Sequence, residues 1–377
     1  MKRLFLTLLL VAVCVRYAPC IAQAAVCNLQ HKVAVVTAAI IKTNMVYPQP
    51  ETVAYYGRWE KTQSGTMRTG RGATYLRTGF TGTHIGVRLQ DNKNIWWRVS
   101  IDDGPWQRFQ AQSGETVLAD ALSIGKHELF LVRDTEGTAG VSTLHGFVLA
   151  EGARLVPACE QQQRRIEFVG DSILAGAFAQ GPGPYLQQED GYMSFGPQLA
   201  RALSAEWSVV ATSGEGVVVN MSETGDRLGI HALDDYERLA YGEGLESGRQ
   251  SDFKPQLIVV NHGANDFEAK QPPTATEFTN GYRGLIRGIR VRNPQAVIIC
   301  LDPVPFDSSN AAKNLIATAV EELRIAGDEK VHFLPVNGLT PVLDAADLAD
   351  GEHPLISGHT RLATLLQPKI AAIMQWS

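Results

Sequence analysis

Charge of either sign is in short supply in this sequence, and neither sign dominates. Lys and Arg together number 34 against 39 Asp and Glu, the formal net charge is −5, and charged residues make up only 19% of the chain. No basic stripe is available to follow a phosphate backbone, which argues against a nucleic-acid partner. With 45% hydrophobic residues and no internal repeat or low-complexity tract, the composition is that of a folded chain rather than a disordered one. Cysteine is scarce, at five residues in 377. Long apolar runs are absent beyond the first few residues, so no later stretch reaches membrane length. The length itself predicts two globular domains with substantial cores.

The first apolar run has a specific reading. Met1-Lys2-Arg3 precedes Leu4-Phe5-Leu6-Thr7-Leu8-Leu9-Leu10-Val11-Ala12-Val13, and Ala22-Gln23-Ala24 follows. A positive start, a short apolar stretch and a small-residue cleavage site describe a secretory leader over residues 1–24. Cleavage removes Lys2, Arg3 and Arg16 and no acidic residue, so a more acidic, soluble chain is expected outside the cytoplasm, with no membrane partner. Cys14 and Cys20 leave with the leader, and Cys27, Cys159 and Cys300 remain. In an oxidising compartment an odd count means one pair and one spare thiol. Cys300 sits within Ala296-Val297-Ile298-Ile299-Cys300-Leu301, a buried-strand pattern, and reads as a small core residue. By elimination Cys27 pairs with Cys159.

The remainder divides into two halves of different period. From about residue 47 to 150 short alternating runs are separated by turn residues: Ala73-Thr74-Tyr75-Leu76-Arg77-Thr78, His84-Ile85-Gly86-Val87-Arg88-Leu89, Trp97-Arg98-Val99-Ser100-Ile101 and Lys126-His127-Glu128-Leu129-Phe130-Leu131-Val132. Asp102-Asp103-Gly104 is a hairpin-turn signal. This half, residues 25–160, is expected to be an all-β jelly-roll sandwich. The polar run Glu160-Gln161-Gln162-Gln163-Arg164-Arg165 marks a junction. Beyond it, Ile166-Glu167-Phe168-Val169, Trp207-Ser208-Val209-Val210, Leu257-Ile258-Val259-Val260, Val297-Ile298-Ile299-Cys300 and Val331-His332-Phe333-Leu334 are apolar runs. Helical spacing over 278–290, 311–324 and 358–376 falls between or after them. Residues 161–377 are therefore expected to form a three-layer α/β/α domain around a parallel sheet.

Ligands of such sheets bind at the carboxyl ends of the strands. The first apolar run leads into Gly170-Asp171-Ser172, where a serine is presented at that edge; the same tripeptide also fits an ordinary turn with a helix cap. The next strand ends lead into Ser213-Gly214-Glu215-Gly216 and His262-Gly263-Ala264-Asn265-Asp266. A last loop, Asp350-Gly351-Glu352-His353-Pro354, sets an acid three residues before a histidine. Four polar features thus converge on one rim.

In these blocks the sequence resembles the SGNH (GDSL-like) hydrolase superfamily, whose Ser, Gly, Asn and His blocks match Gly170-Asp171-Ser172, Gly214, Gly263-Ala264-Asn265-Asp266 and Asp350-Gly351-Glu352-His353 in order. The first half adds a narrower likeness. Tyr56-Gly57-Arg58-Trp59, the run from Tyr75 to Thr83, Ile101-Asp102-Asp103-Gly104 and Gly125-Lys126-His127 resemble the β-sandwich that precedes the catalytic domain in carbohydrate esterase family two. The resemblance implies a secreted O-acetyl esterase acting on acetylated polysaccharides or oligosaccharides such as xylan and glucomannan, without a cofactor. Ester chemistry needs a nucleophile, a base and oxyanion donors. Ser172, His353 and Asp350 fill the catalytic roles, and the N–H groups of Ser172 and Gly214 with the Asn265 amide fill the oxyanion roles. A Ser–His dyad without Asp350 is the alternative, and Asp302, at the end of the fourth strand, is a rival orienting acid.

Other residues have competing readings. His262 could touch substrate or make a structural hydrogen bond, and His359 falls in the first turn of the last helix. The spacing of His353 and His359 is not that of a helical zinc site, so no metal is expected. Trp96 and Trp97 could stack on sugars, but adjacent strand residues face opposite ways, so at least one belongs to a core. Glu215 and Gly216 could shape an acyl pocket. Two further whole-protein readings remain: another SGNH esterase (lipase, thioesterase or peptidoglycan esterase), or a glycan-binding protein without catalysis.

Overall fold

The computed structural model describes residues 42–158, 162–224, 227–238, 253–303, 310–336 and 342–376. The leader and the Cys27–Cys159 pairing lie outside the described residues. Among the described residues no helix is long and apolar enough to cross a membrane.

Residues 44–158 are antiparallel β structure. One sheet runs Glu60–Lys61, Met67–Thr69, Ser142–Ala150, Ile85–Asp91 and Thr116–Ala119, with Thr43–Val46 also paired to Ser142–Ala150. The other runs Leu155–Val156, Tyr75–Thr81, Lys126–Arg133, Trp96–Ile101 and Gln107–Gln110, with Val53–Tyr56 paired to Tyr75–Thr81. Inward residues of both sheets, among them Leu76, Phe80, Val87, Trp97, Leu131 and Phe147, form one buried cluster. This is how two amphipathic sheets hide their apolar faces. At the predicted hairpin, Asp102 and Asp103 both take positive φ, 53° and 55°. That is the backbone of a type I′ turn, whose twist matches the flanking strands.

Residues 164–376 form a five-stranded parallel sheet. Its strands are β1 (Arg164–Gly170), β2 (Ala205–Ala211), β3 (Leu257–Asn261), β4 (Val297–Leu301) and β5 (Val331–Leu334), in the order β2-β1-β3-β4-β5. The predicted strands lie within these bounds; the last two residues of the polar junction run, Arg164 and Arg165, open β1. Helices are α1 (Ser172–Ala175), α2 (Tyr185–Gln188), α3 (Phe195–Ala202), α4 (Ala232–Tyr236), α5 (Ala264–Glu268), α6 (Ala275–Arg292), α7 (Asn310–Ile325) and α8 (Ile356–Met374). Successive strand residues serve opposite faces. Phe168 and Val209 pack with Leu199 of α3 and Leu362 and Leu366 of α8, whereas Val169 and Val210 pack with Tyr282 and Ile286 of α6 and Ile316 of α7. Cys300 is a free, buried thiol in the second of these layers, and burial pushes it up to about 12.

The sandwich and the parallel sheet share buried surface. Tyr56 and Tyr75 stack at 4.5 Å and Tyr75 meets Trp207 at 4.2 Å between ring centroids. Trp207 Nε1 donates to Ala73 O at 3.0 Å. Beside them Arg71 and Asp235, both fully buried, pair at 2.6 Å.

Candidate functional site

The strand order reverses between β1 and β3, and the crevice at the carboxyl ends of these two strands is where an open α/β sheet binds its ligand. Ser172 sits there two residues past Gly170, the last residue of β1. Gly170 lies so close to β3 that an added Cβ would be 2.7 Å from Asn261 O. Asp171 then caps α1, accepting the Ile173 N–H at 3.1 Å. Both sequence readings of the tripeptide therefore hold at once: Asp171 is the cap, and Ser172 faces the cleft. Burial pushes the Asp171 carboxyl up to about 7 against the pull of that N–H, and the charge of Glu268 adds to the rise.

His353 arrives from the loop before α8. Its Nε2 is 3.1 Å from Ser172 Oγ and its Nδ1 is 2.8 Å from Asp350 Oδ2. The tautomer that satisfies both contacts carries its proton on Nδ1 and accepts the serine hydroxyl at Nε2. Asp350 is itself oriented, since its Oδ1 accepts the N–H groups of Glu352 and His353 at 3.0 and 2.8 Å. Partial burial pushes this carboxyl up, but those N–H groups and the imidazole outweigh it and hold the group below its usual range. Asp302 is engaged elsewhere: it accepts the Val336 N–H at 2.5 Å and lies 3.4 Å from Lys313 Nζ. The Phe178 ring flanks the imidazole at 5.4 Å.

Gly214 lies in the turn after β2 with φ of 77°, and nothing stands within 4 Å of where a Cβ would be. The left-handed backbone, not crowding, calls for glycine at this position. Asn265 is the second residue of α5; its Nδ2 donates to Glu215 O at 2.9 Å, which leaves its second N–H for a ligand. Its neighbour Asp266 is a clamp that sequence reasoning left without a role. The Asp266 carboxylate accepts the N–H groups of Val217, Val218 and Val219 at 2.8, 2.7 and 3.1 Å. Burial pushes this carboxyl up to about 6, with the three N–H groups opposing.

Ser172, Gly214, Asn265 and His353 line one cleft of about 250 Å³, together with Tyr185 and Met221. Glu215 is buried and lines an adjoining cavity with Ser213, Gly214 and Met221, and Gly216 is fixed by crowding, because a Cβ there would fall 1.9 Å from Val219 O. Neither lines this cleft. His262 is buried with its Nε2 3.7 Å from Glu215 Oε2, and burial pushes it down to about 4. His359, in the first turn of α8, accepts the Phe195 N–H at 3.2 Å. Trp97 is fully buried and donates to Asp91 at 3.1 Å, while the Arg108 guanidinium covers the Trp96 ring at 5.1 Å. Among the described residues no three His, Cys, Asp or Glu side chains group so as to hold a metal ion.

Such a site can activate a hydroxyl and receive a developing oxyanion. Comparisons with known proteins agree in kind. The carbohydrate esterase 2 N-terminal model matches residues 55–159 and the GDSL-like Lipase/Acylhydrolase model matches residues 168–361. The chain is 27% identical over 337 residues to the cellulase/esterase CelE of Acetivibrio thermocellus, covering 86% of this chain and 40% of that protein. It is 25% identical over 283 residues to an acetylxylan esterase / glucomannan deacetylase of Cellvibrio japonicus, covering 71% of this chain and 76% of that one. A family two carbohydrate esterase from Clostridium thermocellum, solved with cellohexaose, superposes with a TM-score of 0.77 at 25% identity over 86% of this chain and all of that one. A family two enzyme from Cellvibrio japonicus shares the fold at a TM-score of 0.80, with 23% identity over 89% of this chain and 99% of the other.

Proposed function

The chain belongs to the GDSL-like lipase/acylhydrolase family, with the N-terminal domain of carbohydrate esterase 2 ahead of it, and from that premise we propose that it is a secreted carbohydrate O-acetyl esterase working through an acetyl-serine intermediate. The observation that carries the reading is the continuous line from Ser172 Oγ through His353 to Asp350, at 3.1 and 2.8 Å, opening on a cleft of about 250 Å³.

In the proposed reaction His353 Nε2 takes the hydroxyl proton as Ser172 Oγ attacks the acetyl carbonyl. The oxyanion forms against the N–H groups of Ser172 and Gly214 and the Asn265 amide. The imidazolium then protonates the departing sugar oxygen, and the acetyl group stays on Ser172. Water, activated by the same imidazole, attacks the acetyl-serine; acetate leaves and the serine recovers its proton. Asp350 holds the imidazole with Nε2 toward the serine and stabilises the cation. Every proton and bond in this scheme is handled by Ser172, His353, water and the ester itself.

Two consequences are specific. Asn265→Ala removes an oxyanion donor and is expected to lower kcat by about 10²–10³-fold, read by steady-state acetate release; a folded variant at the normal rate removes Asn265 from the site. Asp350→Asn leaves the serine and histidine in place but withdraws the negative charge, and with a partly exposed carboxylate a loss of roughly 10–10³-fold is expected, short of the loss at a sealed triad. An unchanged rate would mean a Ser–His dyad.

The decisive assay for the substrate class is acetate release from acetylated xylan, acetylated glucomannan and a small aryl acetate, alongside long-chain acyl esters. Activity on the acetylated glycans and the aryl acetate is expected. Hydrolysis of long-chain esters without glycan deacetylation would replace this reading with a lipase or thioesterase, and glycan binding with no hydrolysis would replace it with a binding protein.

A further inference from the structure

One side chain of the β-sandwich bonds two residues of the cleft wall from behind. Glu136, in the loop after Lys126–Arg133, is fully buried. Its Oε2 accepts the Ser213 N–H at 2.7 Å, and its Oε1 accepts the hydroxyls of Tyr185 and Thr138 at 2.9 and 2.8 Å. The Tyr185 hydroxyl in turn meets the Ser213 hydroxyl. The Glu136 backbone N–H donates to Glu189 Oε1 at 2.9 Å, which fixes the loop that presents the Glu136 side chain. Ser213 immediately precedes Gly214, and Ser213 and Tyr185 both line the cleft.

We propose that Glu136 is a positioning residue for ester hydrolysis: its carboxylate locks the Ser213–Gly214 turn so that the Gly214 N–H faces the oxyanion, which makes the sandwich part of the catalytic apparatus. The inference rests on the esterase reading above. The peptide that carries the Gly214 N–H begins at Ser213, so fixing the Ser213 N–H limits how that peptide can rotate. Gly214 has the widest conformational freedom of any residue in the turn, and without a lock its left-handed backbone would be one of several accessible states. On the far side Gly214 O accepts the Met221 N–H at 3.0 Å, so the turn is held at both ends. A carboxyl group suits the place because its two oxygens accept and the Ser213 N–H and the Tyr185 and Thr138 hydroxyls can all donate. A glutamine would have to turn its own N–H pair toward one of those donors.

The test is Glu136→Gln in the full chain, with Glu136→Asp beside it, assayed on an aryl acetate. Active molecules are counted by labelling Ser172 to completion with a fluorophosphonate, so that misfolded protein drops out of the rate. The expected result is a kcat per labelled serine about 10–100-fold below the parent in the Gln variant, with KM within about twofold, since the lock acts on the oxyanion and not on sugar binding. The Asp variant keeps the charge but is one methylene short, and is expected to fall between. A kcat per labelled serine within about twofold of the parent in both variants, or a rise in KM with kcat unchanged, would overturn the proposal. Failure of the parent to label at Ser172 would instead overturn the esterase reading.

Discussion

Ser172→Ala is expected to lower acetyl-ester turnover by about 10⁴–10⁶-fold, the scale on which loss of the nucleophile acts when nucleophile and base work as a unit. The chemistry leaves no substitute. The hydroxyl is the group within reach of His353 Nε2, at 3.1 Å, and an alanine there offers the carbonyl nothing to form an acyl intermediate with. Folding should be nearly untouched. Ser172 is half-buried, its backbone stays helical, and the cap that starts α1 comes from Asp171, not from the serine. The imidazole that loses a partner is itself 17% exposed, so water can reach it and no sealed polar group is orphaned. The measurement is acetate release on aryl acetate and acetylated xylan by parent and variant, with thermal unfolding run on both. A variant that melts with the parent and retains more than a few per cent of its turnover would remove Ser172 from the chemistry and direct attention to a water-attack mechanism with His353 as base.

The serine and the histidine could be read from the sequence because each is announced locally. An apolar run that stops at Gly170 marks a strand end, and the acid three residues before His353 closes a turn short enough for Asp350 Oδ1 to take the His353 N–H at 2.8 Å. Trp96 and Trp97 follow the same logic: alternation along a strand required that one be core, and it is Trp97. What escaped is held together across long separations. Glu136 and Ser213 are 77 residues apart, and Asp134-Thr135-Glu136-Gly137 has the composition of a solvated turn. Nothing in its spacing reveals that Asp134 and Glu136 are wholly buried. Composition misleads here in a definite way, because a chain with few charges still puts many of them inside, in partnerships between the two halves that no local pattern encodes. Asp266 shows the intermediate case. Its block was visible, yet its work, holding three consecutive N–H groups, depends on a loop some 50 residues earlier.

The largest stability loss should come from one of those partnerships. Arg71, from the sandwich, is fully buried and bonds Asp235 through two nitrogens, at 2.6 Å to Oδ2 and 2.9 Å to Oδ1, with a third contact to Asp235 O at 2.8 Å. Burial pushes the guanidinium down, but the Asp235 carboxylate outweighs it and keeps the cation. Arg71→Leu is expected to destabilise the folded chain by about 3–5 kcal/mol, because the Asp235 carboxylate is left buried without its cation. The double variant Arg71→Leu, Asp235→Leu removes both charges and should be less destabilised than the single one, since an apolar pair has no charge to desolvate. Urea unfolding of the parent, the single and the double variant reads both effects; a single-variant cost under about 1 kcal/mol would mean that water reaches the site and the pair is worth no more than a surface bridge. The same bond also bears on catalysis. Asp235 Oδ2 accepts the Thr212 hydroxyl at 3.1 Å, and Thr212 is the residue before Ser213. Loosening Arg71 should therefore slow ester hydrolysis under conditions where the variant is still folded, by freeing Thr212, the residue next to the Ser213 N–H that Glu136 accepts.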